Sequence, residues 1–183
     1  MSAIMFTFVS CGDGRQDSTE VAEEQNEEVV ENEKDDDAEF AVEAADAGLL
    51  EVQLGTLALT KASSAEVKKF AQMMVDDHTK ANNELKALAQ QKNITLPTTL
   101  GNEHQRKYDN FNDKTGRDFD KDYMDLMVKD HKEAIDEFED EAEEGKDAEL
   151  KSWASGKLAA LRSHLQEAER IQELVKKSDN RNQ

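Results

Sequence analysis

Apolar residues recur at every third or fourth position along four long stretches of this chain, which is the spacing of amphipathic α-helices. These stretches cover residues 38–62, 64–92, 118–144 and 147–176. Pro97, Gly116 and Gly145 fall between them, where helix breakers are expected. A weaker pattern predicts one short extra helix over residues 98–114, between the second and third long helices. Long helices with short connections pack most economically as an antiparallel four-helix bundle, so we expect an all-α fold of this kind.

The residues on either side of these helices have a different composition. Residues 12–39 hold 13 acidic and two basic residues. Such a segment cannot bury enough apolar surface to offset the entropy lost on ordering, so we interpret residues 12–37 as an acidic, disordered tether. The bundle domain then covers residues 38–176, and residues 177–183 form a polar tail.

The first eleven residues resemble the last part of a bacterial lipoprotein signal. An uncharged apolar run ends in Phe8, Val9 and Ser10, and the only cysteine, Cys11, follows it. A small residue before the cysteine suits cleavage and lipidation of Cys11, although no basic residues precede the apolar run, so the signal is partial. The pattern predicts that a lipid on Cys11 anchors the protein to a membrane of the bacterial cell envelope, in the periplasm or at the outer membrane. The alternative is an apolar N-terminus with an unmodified cysteine.

Composition and charge exclude several classes of protein. The net charge of −19 argues against a nucleic-acid partner, because phosphate binding needs clustered Lys and Arg. One cysteine excludes a disulfide framework and any Cys-rich metal site. The sequence also lacks the glycine-rich phosphate-binding loops and the nucleophile motif of common enzyme families. We therefore expect a binding or structural protein rather than an enzyme.

The second and third long helices contain an internal repeat. The segment MVDDH at residues 74–78 matches MVKDH at residues 127–131, at an offset of 53 positions. The match continues on both sides at apolar positions. The two helices are therefore interpreted as copies of one element, which gives the bundle a pseudo-twofold symmetry.

Three histidines fall on the apolar faces of different helices. His78 and His131 each follow a core methionine by four positions, and His164 follows Leu161 by three. Glu51 lies on the apolar face of the first long helix. All four residues are within three positions of the middle of their helices, so in an antiparallel bundle they share one depth. The sequence therefore predicts a core layer of Glu51, His78, His131 and His164, from which His104 is excluded.

Such a layer has two interpretations. Three imidazoles and a carboxylate suit one transition metal ion, Zn, Cu, Ni or Fe, or a small ligand. Asp77, Asn82 and Asp130 are then the candidates to orient the imidazoles from behind. Alternatively, the layer is a hydrogen-bonded polar plane that only fixes helix packing, and the protein is a structural or interaction domain of the envelope. The sequence leaves both open.

The order and spacing of four segments are similar to those of the DUF4142 family. The segments are residues 40–57, 67–88, 123–142 and 161–168. The resemblance implies a ferritin-like bundle located in the bacterial envelope, and no established reaction. Ferritin-like di-iron proteins use Glu-x-x-His motifs, whereas Val75, Val128 and Leu161 stand three positions before the histidines here. We therefore expect no di-iron centre and at most a single metal ion.

Overall fold

The computed structural model describes residues 17–27 and 35–180, and within these ranges it is all-α, as the hydrophobic pattern predicted. Its six helices are α1 (Ser18–Glu27), α2 (Asp35–Lys61), α3 (Ala65–Lys92), α4 (Asn102–Asp109), α5 (Gly116–Glu144) and α6 (Ala148–Asn180). The four long helices lie within about four residues of their predicted bounds, and α4 is shorter than the predicted 98–114. No helix in the described ranges has the length and apolar character needed to cross a membrane.

Local signals set the ends of the long helices. The Ser64 hydroxyl accepts a hydrogen bond from the Val67 backbone N–H and caps the start of α3. Asn93 ends α3 in the left-handed conformation, at φ 58°. The Asp120 carboxylate accepts hydrogen bonds from the backbone N–H groups of Ser63 and Ser64, at 3.0 and 2.9 Å. Asp120 of α5 therefore fixes the position of the turn between α2 and α3 by hydrogen bonds.

The long helices pack in consecutive contact. Helix α2 packs on α3 and on α5, and α6 packs on α5 and on α3, so these contacts link the four helices in a ring. Three-residue connections join α2 to α3 and α5 to α6. Apolar side chains from all four helices fill the interior, among them Leu54, Phe70, Tyr123, Met127 and Ile171, each at most 2% exposed. Burying one such side chain stabilises the folded state by about 1.5–3 kcal/mol, so these apolar contacts hold the four helices together.

Helix α1 corrects the prediction of a disordered tether. Residues 18–27 are helical and pack on α2, with Ala22 and Asn26 buried. The Asn26 amide donates to the Thr95 carbonyl at 3.1 Å, and its oxygen accepts from the Thr95 N–H at 2.7 Å. Composition misses this docking because it depends on specific contacts, among them the hydrogen bonds of Asn26, and not on the average apolar content of the segment.

The start of α2 also differs from the predicted boundary at residue 38. Asp37 is 1% exposed and accepts hydrogen bonds from the backbone N–H groups of Lys146 and Asp147. The prediction of disorder over residues 12–37 is therefore wrong at residues 18–27 and 35–37. The rest of that segment and the signal-like residues with Cys11 lie outside the described residues, so their predicted roles stay predictions.

The Asn26–Thr95 pair makes the docking of α1 testable. Asn26→Ala removes both hydrogen bonds and leaves the Thr95 backbone groups unpaired, which we expect to destabilise the docked helix by about 1–3 kcal/mol. Hydrogen exchange measured by mass spectrometry should then accelerate over residues 18–27 and stay slow in α3. Gln25→Ala, at an exposed neighbouring position, is the control and should leave exchange unchanged. Equal protection of α1 in both variants would contradict this account of its docking.

Candidate functional site

Three histidines from three helices meet in the core. His78 of α3, His131 of α5 and His164 of α6 are 7%, 0% and 4% exposed. Their ring centroids lie 5.4 to 5.7 Å apart. One nitrogen from each ring can be chosen so that all three atoms lie within 4.8 Å of one another. The structure thus brings together the histidines that helix spacing had placed at one depth, and we refer to them as the histidine cluster.

Each imidazole of the cluster uses one ring nitrogen in a contact with an acceptor. The His78 Nδ1 lies 2.6 Å from the Glu51 carboxylate. The His131 Nδ1 lies 2.9 Å from the backbone carbonyl of Met127, one helical turn earlier. The His164 Nε2 lies 2.9 Å from the Asp77 carboxylate. Carbonyl and carboxylate oxygens only accept hydrogen bonds, so each of these three nitrogens carries the proton.

The second nitrogen of each ring is buried and has no hydrogen-bond partner among the described residues. These atoms are the Nε2 of His78, the Nε2 of His131 and the Nδ1 of His164. In the neutral imidazoles, whose protons are fixed on the opposite nitrogens, each of the three bears a free lone pair. A polar layer that only fixed packing would be expected to satisfy such buried atoms with hydrogen bonds. Neutral imidazole nitrogens are common ligands of transition metal ions, so the cluster is a candidate metal site.

Glu51 lies in the core beside the cluster. Its carboxylate is next to the Nδ1 atoms of His78 and His131, at 2.6 and 3.5 Å. Among the described residues, the group of converging nitrogens consists of the three histidines alone. The contact with Glu51 fixes the orientation of the His78 ring, and the role of Glu51 as a fourth metal ligand stays a prediction.

The three residues expected to support the cluster have separate positions. Asp77 does contact an imidazole, although it is that of His164 and not of His78, its neighbour in sequence. Asn82 packs its side chain directly against Gly48 of α2, which only a glycine permits at this distance. Asp130 is half-buried at 3.9 Å from the Lys107 ammonium, and its Oδ1 has no hydrogen-bond partner among the described residues. Of these three residues, only Asp77 contacts a ring of the cluster.

The charge states of the site follow from burial and from Glu51. Burial lowers the pKa of His131 and of His164 below the ordinary value of 6.5. Burial also acts to lower the pKa of His78, but the adjoining Glu51 carboxylate outweighs it and the pKa is raised. Burial would raise the pKa of Glu51, yet the nearby imidazoles outweigh it and bring that pKa down to about 2. At neutral pH the site therefore holds an ionised carboxylate and two neutral imidazoles, with His78 as the most basic ring.

A second contact between a histidine and a carboxylate was not predicted from the sequence. The His104 Nδ1 of α4 lies 2.7 Å from the Asp46 carboxylate of α2, whose other oxygen accepts a hydrogen bond from the Gly101 N–H at 2.8 Å. His104 stands outside the histidine cluster, as expected. Asp46 lies on the buried side of α2, two positions before Gly48. An acidic residue on the apolar face of a helix needs a polar partner, and this could have indicated the contact with His104.

An acidic cleft of about 510 Å³ opens beside the cluster and reaches Glu51. Helices α1, α2, α4 and α5 supply its walls. Burial and the repulsion of neighbouring carboxylates raise the pKa of Glu43 and of Glu137. Its lining includes ten carboxylates, against the basic side chains of His104, Arg106 and Lys107: Asp17, Glu20, Glu23, Glu43, Asp46, Glu51, Glu103, Asp130, Glu133 and Glu137. The cleft is strongly negative and attracts cations.

Fold and site together define an all-helical protein with a buried three-histidine cluster. The chain belongs to the DUF4142 family, described as a domain of unknown function, whose profile matches residues 21–171. The match begins inside α1, so this helix is part of the family domain. No curated protein and no solved structure matches the chain.

The contact between Glu51 and His78 is testable by NMR. Glu51→Gln keeps the shape of the side chain and removes its charge, so the pKa of His78 should fall from its raised value, because burial is then opposed only by the charge of Asp77. A raised His pKa stabilises the fold at pH below 6.5, and this contribution is lost as pH rises through the raised value. The variant should therefore lose this pH dependence of stability.

The measurement is a titration of the histidine ring protons. Asp77→Asn is the comparison variant, because it should lower the pKa of His164 and should lower that of His78 by less than Glu51→Gln does. An unchanged pKa of His78 in Glu51→Gln would show that the carboxylate does not control this ring.

Proposed function

We propose that this protein is a lipid-anchored protein of the bacterial envelope that holds one transition metal ion in the core of a ferritin-like, antiparallel four-helix bundle. The observation that carries the metal site is that His78, His131 and His164 each offer a ring nitrogen within 4.8 Å of the other two. Each ring also has one buried nitrogen without a hydrogen-bond partner among the described residues. The ring of contacts among α2, α3, α5 and α6 supports the bundle arrangement. The Ser10-Cys11 motif supports the anchor.

The size of the cluster suits a metal ion. An equilateral triangle whose sides equal the largest separation, 4.8 Å, has its centre about 2.8 Å from each corner. Bonds from Zn or similar ions to histidine nitrogen are about 2.0–2.1 Å long, so each ring has to move inward by less than about 1 Å. Small rotations of the helices and side chains supply that much. The site is therefore close to its metal-bound form.

The surroundings of the cluster suit a cation as well. Metal-bound histidines generally donate their other N–H to a carboxylate or a carbonyl. Here the Glu51 and Asp77 carboxylates and the Met127 carbonyl accept such hydrogen bonds. The Glu51 carboxylate is ionised and buried, so it offsets part of the positive charge of the ion. Neutral imidazole donors without a thiolate favour Zn, Cu, Ni or Fe(II). One cluster of three histidines has enough ligands for one ion. A di-iron centre would need Glu-x-x-His motifs, which the sequence lacks.

The metal site predicts a thermal shift that depends on metal concentration. An ion that binds only the folded protein raises the melting temperature as its concentration increases. We expect this increase with Zn, Cu, Ni or Fe in the wild type, and its loss in His78→Ala, His131→Ala and His164→Ala. His104→Ala removes a histidine outside the cluster and should retain it. Equal destabilisation of the three cluster variants, with no metal-dependent shift in the wild type, would leave the cluster as a packing element.

Metal affinity should also depend on pH in a defined direction. Bound imidazoles must be neutral, so protons compete with the ion, and affinity falls as pH decreases. His131 and His164 have lowered pKa values and are neutral at pH 7, whereas His78 must release a proton below its raised pKa. Calorimetric titrations below that pKa should show an affinity that falls about tenfold per pH unit for one displaced proton. A pH-independent affinity would contradict histidine ligation.

The anchor is tested separately from the metal. Protein expressed with a complete signal should be found in the membrane fraction, and intact-mass analysis should show Cys11 as a lipid-modified N-terminus. Cys11→Ser should move it to the soluble fraction with its metal binding retained. Residues 1–10 still attached to an unmodified Cys11 in the wild type would exclude lipidation.

A further inference from the structure

The side chain of Glu141 is a buried acid near the end of α5. Glu141 is 7% exposed, and its Oε1 has no hydrogen-bond partner among the described residues. A Cβ at Gly145 would lie 2.5 Å from this oxygen, so the carboxyl group fills space that a glycine leaves in the turn between α5 and α6. A buried carboxyl group without a partner is far more costly when it is ionised than when it is protonated.

The charged groups around Glu141 are mostly acidic. Glu141 lines a groove of about 460 Å³ formed by α2, the end of α5 and the turn to α6. The other carboxylates of this groove are those of Asp36, Asp37, Glu39, Glu43, Glu137, Asp140 and Glu144. The Lys146 ammonium in the groove binds Asp36 at 3.0 Å. The Lys151 ammonium of α6 binds the Glu143 carbonyl at 3.0 Å.

Glu141 gains or loses a proton near neutral pH. Burial raises its pKa from 4.5 to about 7, and repulsion by the Asp37 and Asp147 carboxylates acts in the same direction. Lys151 opposes this rise. Burial would also raise the pKa of Asp147, but hydrogen bonds from Lys92 and from backbone N–H groups outweigh it and bring that pKa below 3.8. Asp147 therefore stays ionised while Glu141 titrates.

The Asp37 carboxylate holds the start of α2 on the turn between α5 and α6. Asp37 is 1% exposed and accepts hydrogen bonds from the N–H groups of Lys146 and Asp147, at 2.9 and 2.5 Å. We name these two hydrogen bonds the α2 latch. Asp37 belongs to the first turn of α2, which begins at Asp35. The end of a helix opens at a lower free energy than its middle, so this turn can move while the rest of α2 stays in place.

We propose that the proton of Glu141 keeps the α2 latch closed and that loss of this proton opens it. An ionised Glu141 places a buried, unpaired negative charge near Asp37. Movement of the first turn of α2 away from the groove lets water reach both carboxylates. The latch lies about 21 Å from Glu51 along α2, so the inference does not rest on the proposed metal site.

The direction of the pH dependence follows from proton binding. In the open state Glu141 is hydrated and has its ordinary pKa of 4.5, whereas in the closed state its pKa is about 7. The closed state therefore binds more protons between these two values, and its advantage is complete below pH 4.5 and lost as pH rises through about 7. The opening constant increases by up to about tenfold per pH unit in this range and levels off above it.

Amide hydrogen exchange of the full-length protein, measured by NMR between pH 5 and pH 8, tests the inference. The N–H groups of Lys146 and Asp147 form the latch, so they exchange when it opens. Each rate is divided by the intrinsic rate of that amide at the same pH. We expect the corrected rates to increase by about tenfold or more from pH 5 to pH 7. Amides in the middle of α3 are the internal reference, because titration of His78 affects the whole fold.

Two variants separate the buried carboxyl group from the general acidity of the groove. Glu141→Gln cannot ionise, so the latch amides should stay protected up to pH 8. Glu144→Gln is the matched control, because it removes one charge from an exposed position of the same groove and should keep the pH dependence of the wild type. Carbon NMR of the Glu141 carboxyl in the wild type needs no substitution and should give a midpoint of about 7.

Three results would overturn the inference. The first is protection of the latch amides that is constant with pH, or that changes equally in the middle of α3. The second is a pH dependence that persists in Glu141→Gln or is lost in Glu144→Gln. The third is a Glu141 carboxyl that titrates at its ordinary value of 4.5 in the wild type.

Discussion

A buried, ionised carboxylate in the middle of the core is the constraint on which the site depends. Glu51 is 7% exposed and carries its charge at neutral pH, because the adjoining imidazoles hold its pKa at about 2. Removing one partner from such a buried pair lowers the free energy of unfolding by about 3–5 kcal/mol. Substitutions of the residues that contact Glu51 are therefore expected to destabilise the fold. The carboxylate accepts a hydrogen bond from the Nδ1–H of His78, which leaves the Nε2 of that ring without a partner among the described residues. The Met127 carbonyl and the Asp77 carboxylate likewise engage one nitrogen of His131 and one of His164 and leave the other nitrogen unpaired.

The charges of the chain are distributed unevenly around this cluster. Most of the carboxylates near the cluster face the cleft formed by α1, α2, α4 and α5, whereas Lys80 and Lys157 stand at a cavity between α3 and α6. The net charge of −19 does not reveal this separation, because it sums over both sides. The direction from which a ligand enters depends on local potential rather than on net charge.

Helix α1 shows how a highly acidic segment becomes part of a folded domain. Its buried surface is small, and its glutamates face others across the cleft, where burial and neighbouring carboxylates raise the pKa of Glu23. Reciprocal hydrogen bonds between Asn26 and Thr95, and an Asp17 carboxylate that accepts from the Asn102 N–H, hold it in place. The docking of α1 therefore balances repulsion between carboxylates against specific hydrogen bonds. It also covers one wall of the cleft that leads to Glu51.

The periodic apolar residues were sufficient to predict the number, length and order of the long helices, because helix formation here follows from one repeating hydrophobic face. The same periodicity placed Glu51, His78, His131 and His164 at a common depth, since depth depends only on position along a helix. Rotation of side chains and the pairing of distant residues were decided by tertiary structure. That is why the sequence could not show which ring nitrogens Glu51 contacts, or that Asp77 contacts His164 across a separation of 87 residues. The docking of α1 was likewise beyond the sequence, because two hydrogen bonds to Thr95 outweigh an average composition that favours disorder.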